Sequence, residues 1–89
     1  MYTGTVGAII ISRNAIEKAA KIIGSETALA KKIGVSKQRL NYWKNALMPY
    51  DMAIAIYLIT EGKVDIDELR PDKRFLTKKF KAVIAREHQ

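Results

Sequence analysis

The stretch from Ser25 to Asn45 constrains the fold most tightly. Ser25 can cap a helix whose buried face is Ala28, Leu29 and Ile33, and Gly34 can end it. Ser36 can then cap a second helix running from Lys37 to Lys44, in which Leu40 and Trp43 repeat at i, i+3 as a narrow apolar stripe. Two short helices joined by a tight glycine-containing turn form a helix-turn-helix unit. Small Ala30 lets the helices cross closely, Gly34 permits a left-handed turn residue, and Val35, Leu40 and Trp43 fill the corner. Together they fix the angle at which the opposite face of the second helix projects.

The remaining segments can supply a core for that unit. From Ser12 onward, Ile16, Ala19, Ala20 and Ile23 recur at i, i+3, i+4 and i+7, which predicts a first helix ended by Gly24. Pro49 suits the first turn of a fourth helix, with Asp51 near its positive end, an apolar face of Met52, Ala55, Ile56 and Ile59, and Gly62 as its stop. Asp65 and Glu68 can cap a single short turn that Pro71 ends. Asp72 can cap a last helix carrying Leu76, Phe80, Val83 and Ile84 on one side. Residues 1–11 contain two glycines and a β-branched run, so they suit an extended arm or short strand, which needs a pairing partner. The expected fold is all-α, with five helices. An arm occupies 1–11, the helix-turn-helix domain 12–72 with its motif at about 25–45, and a basic amphipathic extension 73–89.

Composition narrows the function. The chain has 89 residues, room for one small core, and 48% apolar content argues against disorder. It has no cysteine, which removes disulfides, thiolate metal sites and cysteine nucleophiles, and fits a cytoplasmic location. The apolar run Val6 to Ile11 is about a third of a membrane span, and no basic residue precedes it as in a signal peptide. The net charge of +7 is uneven: residues 36–50 carry three cations and no anion, whereas residues 51–72 carry two cations and six anions. One basic face and one acidic flank are expected.

The projecting face of the second motif helix carries Lys37, Gln38, Asn41 and Tyr42 at i, i+1, i+4 and i+5. A helix fits the major groove of B-DNA, where lysine reaches guanine acceptors and glutamine or asparagine pairs with adenine. Tyr42 can touch a thymine methyl or donate to phosphate. Ser36, Lys44 and Asn45, at the helix ends, are placed for phosphates and would set register rather than read sequence. Arg39 faces solvent or a phosphate.

The segment ETALAKKIGVSKQRLNYWKN resembles the helix-turn-helix of the Cro and lambda-repressor superfamily, with Ala30, Gly34, Leu40 and Trp43 where that pattern wants them. Pro49, Gly62-Lys63-Val64 and Leu69-Arg70-Pro71-Asp72 are similar to the Cro-like subfamily of YdaS-like antitoxins, typically prophage-borne. The resemblance covers roughly residues 13–72 and implies a lambda-repressor-like domain that represses transcription from double-stranded DNA. At the start of the first motif helix the family often has a glutamine that donates to phosphate. Glu26 stands there in this chain and has no proton to give, so Thr27 or the free backbone N–H groups are expected to substitute.

Other chemistry finds little foothold. Asp65, Asp67, Glu68 and Asp72 lack calcium-loop spacing and read as caps and a solvated turn, so no metal or cofactor is expected. His88 is the single histidine, one residue from the end, and no glycine-rich phosphate loop follows a strand. The chain is therefore expected not to be an enzyme and to have no small-molecule substrate. The basic, amphipathic end, residues 73–89, has a narrow apolar face that suits packing on protein better than a membrane surface.

One recognition helix reads few base pairs, so specificity calls for a two-fold dimer with half-sites about 34 Å apart. The arm, through Val6, Ile9, Ile10 and Ile11, and the last helix, through Leu76, Phe80, Val83 and Ile84, are the candidate contacts. The alternative reading is an antitoxin or adaptor that uses the scaffold to bind a toxin or another protein.

Overall fold

A computed structural model describes residues 4–73 and 81–83. The chain forms α1 (Gly4–Ile23), α2 (Glu26–Ile33), α3 (Lys37–Tyr42), α4 (Tyr50–Ile59) and α5 (Ile66–Leu69), followed by a 3-10 turn at Pro71–Lys73. Residues 81–83 are also helical. The described residues contain no strand.

The local signals act as their chemistry requires. Ser25 accepts a hydrogen bond from the Ala28 N–H at 3.0 Å and starts α2. A capping box starts α5: Asp65 accepts from the backbone at Asp67 and Glu68 accepts from the Asp65 N–H at 3.2 Å. Pro49 stands as the residue before α4 rather than inside its first turn. Gly24 and Gly62 both take positive φ just beyond α1 and α4.

The arm expected at residues 1–11 is corrected. Residues 4–11 belong to α1, so the boundary placed between residues 11 and 12 falls inside a continuous helix of 20 residues. The reason is the inward stripe of Ala8, Ser12, Ala15, Ile16, Ala19 and Ala20, all buried and at helical spacing. Extending the helix keeps that stripe in register and pairs the backbone groups between its two end turns within the helix. A lone strand would have left its backbone groups unpaired. The preference of Ile9-Ile10-Ile11 for extended structure is too weak to oppose this.

The core joins Ala15, Ile16, Ala19 and Ala20 of that stripe to Leu29, Ala30, Leu40, Trp43, Met48, Ala53, Ile56, Val64, Ile66 and Leu69. Helix α4 presents Ala53 and Ile56 fully inward, whereas Met52, Ala55 and Ile59 are only half-buried and Leu58 is exposed. Thr60, just past α4, is buried; its hydroxyl donates to the Ile56 carbonyl at 2.8 Å and accepts from the Val64 N–H at 3.2 Å. It thereby joins the end of α4 to the loop that follows.

Arg70 closes the other end. It donates to the Met48 carbonyl at 2.7 Å and, through two parallel bonds of 2.9 and 2.7 Å, to the Asp72 carboxylate. Asp72 is the partner that orients Arg70; the start of the last helix, which it is expected to cap, lies outside the described residues. Of the last helix's expected apolar face, Leu76, Phe80 and Ile84 lie outside the described residues, and Val83 is exposed.

Candidate nucleic-acid interface

The turn between α2 and α3 is built by the backbone. Gly34 takes φ 79° and ψ 30°, in the left-handed region. Its N–H donates to the Lys31 carbonyl at 3.2 Å, while the Val35 N–H donates to the Ala30 carbonyl at 2.9 Å. This pair of bonds is a Schellman motif, which satisfies the end of α2 and turns the chain sharply. Ser36 accepts from the Arg39 N–H at 3.0 Å and starts α3 at once.

Packing then sets the orientation of α3. Leu40 is 0% exposed and Trp43 4%, and Ala30 on α2 is 2% exposed, so the two helices meet closely over the core. Val35 packs half-buried against the same cluster. Trp43 is therefore a core residue, and its ring is not offered to a ligand. The helix ends at Tyr42, sooner than the sequence suggests, and the chain continues through two tight turns. There the Lys44 N–H donates to Asn41 and the Asn45 N–H to Tyr42, each at 3.0 Å.

With Leu40 and Trp43 turned inward, Lys37, Gln38, Arg39, Asn41 and Tyr42 are all exposed, Tyr42 at 64%. The structure thus brings the four expected base readers onto one accessible surface. Their chemistry is complementary to base edges: one ammonium donor, two amides that each donate and accept, and one phenol. Arg39 is exposed beside them.

The expected phosphate contacts divide differently. Thr27 is exposed on the first turn of α2. Ser36 uses its hydroxyl oxygen as a cap acceptor and retains a hydroxyl proton to donate. The Lys44 ammonium, by contrast, forms an ion pair with Glu26. Asn45 accepts from Arg13 at 3.3 Å through its side-chain oxygen, and Arg13 also donates to the Lys44 carbonyl at 2.8 Å. Lys44 and Asn45 are thus engaged within the protein.

Sequence reasoning missed Arg13, and it singled out Glu26 only as a residue unable to donate to phosphate, not as the partner of Lys44. Each grips the turn after α3 from a different helix, Arg13 from α1 and Glu26 from the start of α2. The opposite charges of Glu26 and Lys44 were a usable signal once the helices were crossed. Arg13, 31 residues from Lys44, gave none.

Comparison with known proteins follows this geometry. The family model described as "Bacterial toxin YdaS" matches residues 16–75. The chain belongs to the YdaS toxin family. It is 34% identical over 58 residues to "Putative transcriptional regulator YdaS" of Escherichia coli (strain K12), covering 63% of this chain. The chain spans 59% of that relative's length. No solved structure gives a significant match.

The span shared with the YdaS family starts at Ile16 and takes in α2, the glycine turn, α3, α4 and α5. It leaves out the first twelve residues of α1, from Gly4 to Ala15, and therefore leaves out Arg13.

The acidic flank of this YdaS family member is occupied by internal contacts. Lys81 donates to Asp65 at 2.9 Å and lies 5.8 Å above the Tyr57 ring centre. Burial pushes the Asp65 carboxyl up, but hydrogen bonds from Lys81 and the Asp67 backbone outweigh it and hold the pKa below the usual value. The hydrogen bonds from Arg70 likewise hold Asp72 low against the effect of burial. Among the described residues, no group of three potential ligands could hold a metal ion, and no helix is long and apolar enough to cross a membrane.

Proposed function

We propose that the chain is a sequence-specific regulator of transcription that binds double-stranded DNA through a helix-turn-helix of the Cro and lambda-repressor type. Helix α3 enters the major groove. Lys37, Gln38, Asn41 and Tyr42 read base edges, while Thr27, Ser36 and Arg39 hold the backbone. Repression follows if the site overlaps a promoter. No chemical step is assigned to the chain.

The observation that carries this reading is the division of α3 into two sides. Leu40 and Trp43 are buried, whereas the cationic, amide-rich side is exposed and free of acidic residues. A regulator among the relatives supports the same reading. The test is titration against genomic DNA fragments at two salt concentrations. Binding that weakens steeply with salt yet keeps a preferred site supports it; weak binding blind to sequence contradicts it.

The family's description as a toxin favours a second reading, in which the chain belongs to a toxin and antitoxin pair and binds protein through the same scaffold. An adaptor of that kind has no need of Lys37, Gln38 and Asn41 on one accessible side. Alanine at all three positions would leave a protein complex intact and abolish a DNA complex.

A further inference from the structure

The most basic stretch of the chain follows directly on its most acidic one. Residues 51–72 carry six anions against two cations, and residues 73–89 carry six cations against one anion. Among the described residues the two stretches meet at Lys81. Its ammonium donates to the Asp65 carboxylate at 2.9 Å and stands 5.8 Å from the Tyr57 ring centre. A carboxylate and an aromatic face together make a seat for one cation.

That seat is built by other parts of the chain. Gly62, at φ +80°, donates its N–H to the Tyr57 carbonyl at 2.8 Å, and a Cβ added to it would stand 3.6 Å from the Tyr57 ring, so the glycine lies close under the ring. Asp65 is fixed by the capping box of α5, where its N–H donates to Glu68 at 3.2 Å. Two neighbouring carboxylates are engaged elsewhere, Glu68 with Lys18 at 3.4 Å and Asp72 with Arg70 at 2.7 Å. Asp65 is the one that meets the C-terminal segment.

The hold is loose. The side chains of Lys81 and Asp65 remain 41% and 36% exposed, so water and salt screen their attraction. A phosphate offers the same ammonium an equivalent partner.

We propose that Asp65 and Tyr57 form an internal stand-in for a DNA phosphate. They hold Lys81, and with it the basic C-terminal segment, on the acidic flank until the phosphates of bound DNA draw the ammonium away. The contact opposes binding to every sequence alike and leaves discrimination to α3. The release by DNA rests on the DNA-binding reading above; the contact itself does not.

Two measurements on the full chain test this. The first needs no DNA. Asp65→Asn removes the charge while keeping a residue that caps α5 well, and Lys81→Gln removes the ammonium. Each is expected to speed amide hydrogen exchange at Lys81, Ala82 and Val83 about threefold to tenfold, and the double variant no further than either alone. Unchanged exchange, or effects that multiply in the double variant, would overturn the contact. The second is affinity for a scrambled duplex. Asp65→Asn is expected to bind about threefold to tenfold tighter than the parent, and to lose that gain when Lys81→Gln is also present. No gain, or a gain that persists undiminished without Lys81, would overturn the release, since the latter reports only the loss of a repelling charge. A parent chain that prefers no site contradicts the α3 reading and leaves both comparisons standing, so the two failures are distinguishable.

Discussion

The Arg13 guanidinium donates to the Lys44 carbonyl at 2.8 Å, tying the first helix to the turn that ends the third. The same side chain reaches Asn45 at 3.3 Å, so one residue of α1 holds two consecutive residues after α3. The tilt of α3 thus depends on α1 as well as on the buried Leu40 and Trp43.

Replacing Arg13 by glutamine is expected to weaken DNA binding while leaving its salt slope nearly unchanged, because the residue positions α3 and touches no phosphate. Loss of its charge-assisted hydrogen bonds is expected to cost about 1 kcal/mol of stability, measured by urea unfolding. A salt slope lowered by a full phosphate contact would show instead that Arg13 meets DNA directly.

Glu26 and Lys44 should act in opposition. Glu26→Gln removes a carboxylate from the start of α2 and releases the Lys44 ammonium from its ion pair. Tighter binding to all sequences is expected, with a salt slope steeper by about 0.9 per phosphate gained. Weaker binding at an unchanged slope would mean that the ion pair serves chiefly to orient α3.

Gly34 can be tested as a purely conformational requirement. A Cβ placed there meets nothing within 4 Å, so the cost of Gly34→Ala comes from the backbone at φ +79°. Thermal or urea unfolding is expected to show a loss of about 1–2 kcal/mol for alanine, and less for Gly34→Asn, which tolerates the left-handed region.

Acid should loosen the Arg70 and Asp72 pair. The Asp72 pKa is lowered in the fold, so its stabilising contribution is present above the ordinary carboxylate value of about 3.9 and is lost as pH falls through the lower folded value. Asp72→Asn is expected to be less stable than the parent near neutrality and to converge with it in acid. A constant gap at all pH values would contradict this.

How far the fold was legible depended on the range of each interaction. Ser25, Gly34, Ser36 and the Asp65 and Glu68 box act on backbone within a few residues, so their roles could be read directly. The first half of α1 could not, because Ile9 to Ile11 carry a local extended preference that the inward stripe of Ala8, Ser12 and Ala15 overrides. Helix α4 is apolar on nearly every side, which leaves its inward face without a phase in the sequence. The exposed side of α3 was legible because Leu40 and Trp43 mark its opposite. The clamp on its end was not, since Arg13 and Glu26 reach Lys44 only after the helices have packed.

The central claim is that the exposed side of α3 reads base sequence. Its most direct measurement compares the parent chain with Gln38→Ala and Asn41→Ala on a duplex selected from a random library and on a scrambled duplex. Each substitution is expected to cost about 1–3 kcal/mol on the selected duplex and almost nothing on the scrambled one. No preference in the parent chain, or equal losses on both duplexes, would contradict it.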